Sequence, residues 1–390
     1  MTRVLIIVVI ICSIISQLPQ LLESGISTVL KLSWVPLGLV VFKKAGKCFS
    51  DKILYPWYIF IGLFTLYLFF LTPLGDSSYF GTDYTNIILS TIICVVSYSF
   101  WYRYGSEDLV KILSVVILVT CIYFAYQLFI QSLQLLNLDS RSEIFRAKNS
   151  AAQILLSAVL ITFIFVKQQV GLLRTISYIS IIFLIVIIFL LKSRATLVSL
   201  FFIIAYFIFL SKNKLYKYIL ISILILGIIL LLTIPQLYHI IIENILFNNR
   251  DSTDLDDLSS GRLVLINNIW IRYLDTPILG LGNLYIDCMP FSILVQYGIL
   301  GFIIVFTFLY KVYKITWNLS KQSSIGECAY LLYVSYLVNS LFEAQPPFGP
   351  GAKCFFVWMF IGFAMANSEK IKNRIKDNSN KYLINYSKNS

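Results

Sequence analysis

The chain has 390 residues, of which 58% are hydrophobic and only 13% charged, and its formal net charge is +12. Soluble domains carry about a quarter charged residues, so this composition excludes an ordinary soluble protein. Apolar runs of about 20 residues recur along the chain, which is long enough to cross the hydrocarbon of a bilayer as helices. The runs are continuous and do not alternate with polar residues, which excludes a membrane β-barrel.

Taken in chain order, the apolar runs predict an all-α polytopic membrane protein with eleven or twelve transmembrane helices. The expected domains are helices one to nine in residues 1–234, one large extracytoplasmic loop in 235–290, helices ten to twelve in 291–367, and a basic cytoplasmic tail in 368–390. The predicted spans are 4–22, 25–42, 54–74, 85–102, 109–131, 149–166, 174–191, 195–211, 216–234, 291–310, 325–343 and 353–367.

The basic residues predict the topology. If the N-terminus is cytoplasmic, 21 of the 31 lysines and arginines lie in inside segments, nine lie outside, and Lys31 lies within the second span. This asymmetry is the positive-inside pattern. It predicts a multi-pass protein of the bacterial cytoplasmic (inner) membrane with both termini cytoplasmic. The positive charge is spread over short turns with no binding fold, so nucleic acid is not an expected partner.

The outside loop contains the segment GRLVLINNIWIRYL, whose apolar residues have helical spacing. This spacing predicts an amphipathic helix that lies on the membrane surface. The apolar positions are Leu263, Ile266, Ile269, Trp270 and Tyr273.

Six of the nine outside basic residues are arginines, whose planar guanidinium binds phosphate through two parallel hydrogen bonds. One interpretation is snorkelling or surface pairing with acidic residues. The other is a cationic pocket for an anionic substrate at the outer membrane edge. Five of the six are Arg141 and Arg146 before the sixth span, Arg194 in the turn KSRAT, and Arg262 and Arg272 at the ends of the amphipathic segment; the sixth is Arg250.

Two carboxylates are candidate acid–base groups. Asp287 directly precedes the tenth span and Glu343 ends the eleventh, so both should face the outer mouth of the bundle. A carboxylate at that place can accept a proton from a sugar hydroxyl. The alternative for each is an interfacial acid paired with a nearby arginine. The single histidine, His239, excludes a histidine-rich metal site.

Several motifs in the second half of the chain resemble the O-antigen polymerase and O-antigen ligase superfamily. They are Ser260-Gly-Arg262, then Trp270, the pattern P-x-x-G-x-G from Pro277 to Gly282, and the run Tyr297-Gly-Ile-Leu-Gly301. RAKNSAA at 146–152 and SRAT at 193–196 also resemble family positions. The family has about a dozen spans, a large periplasmic loop, and substrates carried on undecaprenyl diphosphate.

The resemblance implies specific roles for residues of this chain. Arg194 and Arg262, with Arg146 and Arg272, would bind the diphosphate, and Asp287 would orient or deprotonate the acceptor hydroxyl. Ligases of the family carry a histidine where this chain has Asp287, eleven residues before Gly298. Aspartate at this position is more like the polymerase branch. Glu343 is the alternative acid–base group.

The resemblance therefore predicts a glycosyltransferase that polymerises lipid-linked oligosaccharide repeat units of O-antigen or capsule. Its partners would be a glycan donor and an acceptor, both on undecaprenyl diphosphate, together with membrane lipid; a chain-length regulator is a further candidate. No cofactor or metal is expected, because arginines can supply the positive charge. The alternatives are an O-antigen ligase that transfers glycan to lipid A core, and a flippase or transporter of the same lipid-linked units.

The topology can be tested by labelling with an impermeant thiol reagent. Ser259→Cys and Ser379→Cys are introduced separately into a chain without native cysteines. In intact cells with a permeabilised outer membrane, we expect labelling at position 259 and protection at 379, because only the loop faces outward. Labelling at 379 without labelling at 259 would invert the topology.

Overall fold

The computed structural model describes residues 2–22, 24–45, 49–72, 79–133, 148–210, 214–239, 242, 262–349 and 352–388. Within these ranges the fold is all-helical and contains no strand. The α-helices are α1 (Thr2–Ile15), α2 (Pro19–Leu22), α3 (Gly25–Lys31), α4 (Trp34–Ala45), α5 (Tyr55–Leu71), α6 (Thr82–Tyr104), α7 (Glu107–Leu133), α8 (Lys148–Phe165), α9 (Leu172–Leu190), α10 (Arg194–Leu210), α11 (Lys214–Thr233), α12 (Pro235–Tyr238), α13 (Arg262–Tyr273), α14 (Met289–Ser320), α15 (Ser324–Ser340) and α16 (Ala352–Lys388).

Every predicted span coincides with helical structure. Seven of the described helical segments are long and apolar enough to cross a membrane, so the chain has the helices of a multi-pass membrane protein, and the total of eleven or twelve spans stays a prediction. Two predicted spans are interrupted. The first breaks before Pro19, because proline disfavours helix at the residue before it. The second is divided between α3 and α4.

The most buried helices form the centre of the bundle. Helix α16 packs along α6, and α8 and α15 also contact α16. The contact between α6 and α16 is a close backbone approach at Gly362, where an added Cβ would lie 2.5 Å from the Cys94 carbonyl oxygen and 2.7 Å from the Tyr98 nitrogen. Small residues allow such approaches between membrane helices, where packing rather than hydrophobic burial drives association.

The outer helices expose apolar side chains instead of burying them. On α5, Leu63, Leu66 and Phe69 are exposed, and on α9, Ile179 and Ile182 are exposed. Exposed apolar surface of this extent is what a helix presents to lipid, because lipid tails are as apolar as these side chains. Both helices are among those long and apolar enough to span a bilayer.

Helix α14 contains a sharp kink at Gly298, which has φ 67° and ψ −177°. This backbone conformation is essentially restricted to glycine. The kink lets the preceding loop pair with the helix: the Leu281 amide donates to the Val295 carbonyl at 2.7 Å, and the Ile299 amide donates to the Pro277 carbonyl at 3.0 Å. The glycine-rich loop motif and the helix motif are therefore joined backbone to backbone.

A helix is present where the amphipathic segment was predicted, as α13, while its position on the membrane surface stays a prediction. Its Ile269 and Tyr273 are buried with Ile286 and Val295 in a small core of their own, and Ile266 packs against them. Two other residues of the predicted apolar face remain partly outside this core, since Leu263 and Trp270 are exposed. The small core fixes α13 over the first turns of α14.

Segments predicted for the same side of the membrane meet at the same end of the bundle. At one end the Ser368 hydroxyl donates to the Gln322 side chain at 2.8 Å and Lys370 donates to the Gly105 carbonyl at 3.0 Å. At the other end the starts of α8, α10 and α14 meet the chain that follows α15, as described below. This arrangement agrees with the predicted relative sidedness, while the orientation of the termini stays a prediction.

Gly298→Ala should disrupt the kink. An alanine Cβ there would lie 1.9 Å from the Ile278 carbonyl oxygen, and the backbone strain alone costs about 1–3 kcal/mol. We expect a clear fall in the thermal unfolding midpoint of the purified protein. Gly62→Ala on helix α5 is the matched control, because no atom lies within 4 Å of its added Cβ. Equal midpoints for the two variants would contradict this account of the kink.

Candidate functional site

The candidate site lies at the end of the bundle where α8, α10, α13 and α14 begin. Its centre is the segment that connects α15 to α16, most of which is buried. The Asn149 side chain of α8 and the Arg262 side chain of α13 bind this segment, and so does the Met289 amide at the start of α14. The turn before α10 joins it indirectly, through Asn149. The site is thus assembled from residues that are almost two hundred positions apart in the sequence.

The first ion pair joins two of the sequence-predicted residues. The Arg262 Nη2 atom lies 2.9 Å from Asp287 Oδ2, and the Arg262 Nη1 group donates to the Phe342 carbonyl oxygen at 3.2 Å. The two side chains are 31% and 29% exposed, so both can be reached from solvent. Arg262 is the first residue of α13, and Asp287 lies two residues before the start of α14. The small core beneath α13 joins the two helices and so brings these residues together.

Tyr285 is a further member of this exposed part of the site. Its hydroxyl donates a hydrogen bond to Asp287, and the negative charge of Glu343 is close enough to act on it. The Tyr285 pKa lies well above its usual value, first because the surroundings of its hydroxyl are partly desolvated, and also because of the bond to Asp287 and the nearby carboxylates. Tyr285 therefore keeps its proton and acts as a donor.

The second ion pair is buried. Lys353 Nζ lies 3.2 Å from Glu343 Oε2, with side-chain exposures of only 7% and 9%. The other carboxylate oxygen of Glu343 accepts a hydrogen bond from the Asn149 side-chain amide. The pairing satisfies both buried charges, as charges away from water require. The Glu343 carboxylate is thus paired as the sequence allowed, but with a lysine rather than an arginine.

The same cluster extends to the turn that carries Arg194. The Ser193 hydroxyl donates to the Asn149 carbonyl oxygen Oδ1 at 2.9 Å and lies 3.0 Å from the Thr196 hydroxyl. Lys192 in this turn has φ 52°, a left-handed conformation that is uncommon for a residue with a side chain. Arg194, the first residue of α10, follows directly.

The backbone joins the two ion pairs to each other. The Met289 amide, two residues after Asp287, donates to the Glu343 carbonyl oxygen at 3.0 Å. Because Arg262 bonds to the Phe342 carbonyl, two consecutive residues of this segment contact Arg262 and the start of α14 next to Asp287. The exposed pair lies directly beside the buried one.

The structure brings together some of the predicted site residues and not others. Arg262 and Asp287 contact each other, and Glu343 lies beside them. Arg194 directly follows the turn whose Ser193 side chain bonds to the same cluster. Arg272 is exposed and lies ten residues along α13 from Arg262, about 15 Å for a helix. Arg146, Arg141 and Ser260-Gly261 lie outside the described residues.

Two residues of the cluster carried no predicted role. Asn149 stands within RAKNSAA, a segment that resembles family positions but gave no role to this residue. Lys353 is one of the nine basic residues predicted to lie outside. A signal existed for each, because an amide and a lysine both stand at the very start of a predicted apolar span. Polar groups buried at the edge of an apolar span need partners. Each of these two residues could therefore have been predicted to pair with another polar side chain.

The arrangement has the groups that a transfer reaction on an anionic substrate requires. A solvent-accessible guanidinium can bind a phosphate group, and the carboxylate beside it can accept a proton. The tyrosine hydroxyl can donate a hydrogen bond. All of these groups lie beside the buried Lys353–Glu343 pair, whose opposite charges balance each other.

The described residues form the all-helical bundle of a multi-pass membrane protein, with a charged site at one end. Residues 179–290 match the sequence model of a family described as O-Antigen ligase. This match confirms the resemblance to the O-antigen ligase and polymerase superfamily, whose members are glycosyltransferase-like enzymes. The matched region contains Arg194, Arg262 and Asp287, and it ends before Glu343. No curated protein matches the chain significantly.

The two ion pairs should differ in their contribution to stability. Lys353→Met leaves the buried Glu343 charge unpaired, which costs about 3–5 kcal/mol. Asp287→Asn removes one charge of a partly exposed pair, which costs about 0–1 kcal/mol. The measurement is the thermal unfolding midpoint of each variant in detergent. Similar shifts for both variants would show that burial does not distinguish the pairs.

Proposed function

We propose that the protein is a polymerase of undecaprenyl-diphosphate-linked oligosaccharide repeat units, which builds O-antigen or capsular polysaccharide at the outer face of the cytoplasmic membrane. The observation that supports this most directly is the 2.9 Å contact between Arg262 and Asp287. It unites the arginine of the SGR motif with the aspartate that stands where ligases of the family have histidine. The family match by itself supports only the wider class, ligase or polymerase.

In the proposed reaction the growing glycan is the donor and a new lipid-linked repeat unit is the acceptor. The bond between the sugar and the diphosphate of the donor breaks, and the acceptor hydroxyl oxygen forms the new glycosidic bond. The hydroxyl proton passes to Asp287. Undecaprenyl diphosphate leaves, and Arg262 and Arg194 stabilise the negative charge that develops on it. Arg146 and Arg272 stay as further predicted diphosphate-binding residues.

The partial exposure of the Arg262–Asp287 pair fits a site that exchanges partners. An arriving diphosphate offers Arg262 a stronger, bidentate partner than a single carboxylate oxygen. Once the guanidinium has turned to the phosphate, the Asp287 oxygen that it occupied can accept from a hydroxyl. The Phe342 carbonyl keeps the arginine in place during this exchange, because its bond uses a different nitrogen.

The test is reconstitution of the purified protein with lipid-linked repeat units in detergent. A polymerase converts them to a ladder of longer glycans on undecaprenyl diphosphate. Glycan found only on added lipid A core would identify a ligase instead. A flippase would produce no new glycosidic bond under either condition, because it moves its substrate without changing it.

Asp287→Asn should lower the polymerisation rate about 10²-fold or more, the scale of general base catalysis, because the amide keeps the shape but cannot take the proton. Asp275→Asn is the matched control, since Asp275 is an exposed acid just after α13. Rates are normalised to folded protein. A rate for Asp287→Asn within about threefold of the control, far below the general-base scale, would exclude Asp287 as the base.

A further inference from the structure

An unbroken series of polar contacts, buried at Lys353 and Glu343 and partly buried at Asn149, runs from α16 to the turn before α10. Lys353 Nζ lies 3.2 Å from Glu343 Oε2, and Glu343 Oε1 accepts from the Asn149 amide. The Asn149 Oδ1 atom accepts from the Ser193 hydroxyl at 2.9 Å. Asn149, Glu343 and Lys353 are terminal residues of three different predicted spans, and Ser193 lies in the turn between the seventh and eighth. Arg194 is the next residue after Ser193.

The turn at the end of this series leaves the chain little freedom. Only Leu191, Lys192 and Ser193 separate α9 from α10, and Lys192 is left-handed. Ser193 is buried, and its carbonyl accepts the Leu197 amide at 3.0 Å as the first hydrogen bond of α10. A contact that fixes the Ser193 side chain therefore also fixes the position of Arg194 at the start of α10.

We propose that Glu343 and Lys353 are positioning residues for Arg194, acting through Asn149 and Ser193. The inference rests on the proposed function, in which Arg194 binds the substrate diphosphate. The ion pair itself is buried and already satisfied, so it takes no part in the transfer. Glu343 is therefore assigned a positioning role in place of the acid–base role.

The chemistry of the series explains why a charged pair stands at its origin. An ionised carboxylate only accepts hydrogen bonds, so Asn149 must turn its NH₂ group towards Glu343. The Asn149 carbonyl oxygen then faces the opposite way, towards the Ser193 hydroxyl. Lys353, 3.2 Å away, places an opposite charge beside the buried Glu343 carboxylate. A neutral residue at 343 would remove this constraint on the amide.

Two variants remove the constraint without leaving a lone buried charge. The paired change Glu343→Leu with Lys353→Met removes both charges at once, and such apolar replacement of a buried pair is often neutral or stabilising. Asn149→Leu keeps the ion pair and cuts the series at its middle. The matched control is Glu369→Leu with Lys372→Met, an exposed pair of the same 3.2 Å separation at the other end of the bundle.

The readout is the dissociation constant for a purified undecaprenyl-diphosphate-linked repeat unit, measured on folded protein. Arg194→Ala should weaken binding about tenfold or more, the effect of losing a hydrogen bond to a charged group. The paired change and Asn149→Leu should each weaken it to a similar extent. Added to Arg194→Ala, neither should weaken it further, because the residue that they position is gone. The control pair should leave the constant unchanged.

The outcomes separate the inference from the proposed function. Unchanged binding in Arg194→Ala removes that arginine from the proposed site, and the inference fails with it. Weakened binding in Arg194→Ala together with normal binding in the paired change overturns the inference alone. Weakening that multiplies when the changes are combined also overturns it, because independent effects on stability or packing are additive in free energy.

Discussion

The candidate site depends on the hydrogen bonds made to the segment between α15 and α16. This segment offers the Phe342 carbonyl to Arg262, the Glu343 carbonyl to the Met289 amide, and the Pro347 carbonyl to the Trp358 indole at 2.7 Å. Glu343 and Pro347 are buried, so their carbonyls must find donors, whereas the Phe342 carbonyl is exposed. The segment meets this requirement by binding three other parts of the chain, and the site exists because those parts are thereby brought to one place.

The helices could be predicted because the signal for them is local. An apolar run of sufficient length can only satisfy its backbone in a bilayer by becoming a helix. Each predicted span coincides with helical structure, although the first two are each divided between two helices. The kink at Gly298 could not be predicted in the same way. The glycines of YGILG were read as a motif, whereas the reason for Gly298 is the carbonyl of Ile278, twenty residues earlier. Sequence spacing does not reveal which backbone approaches a glycine.

The site could be predicted in part, and the division follows burial. Arg262 and Asp287 remain partly exposed beside membrane-spanning helices, where charge and position alone make a residue conspicuous. Lys353 is buried, and Asn149 is partly buried against the same ion pair. Their importance depends on the 7% and 9% side-chain exposures of the Lys353–Glu343 pair, which tertiary packing decides. A lysine before an apolar span looks the same whether it is solvated or buried.

The difference in exposure also determines which pair a substrate can open. Separating Glu343 from Lys353 would leave two charges in a site already stripped of water, and the desolvation penalty makes that costly. Separating Arg262 from Asp287 costs little, because water and an incoming anion can replace each lost partner. In the proposed reaction, the anionic substrate would therefore exchange with the outer pair and leave the inner one intact. Both ion pairs join a cationic nitrogen to a carboxylate oxygen, but their different burial gives them different proposed roles.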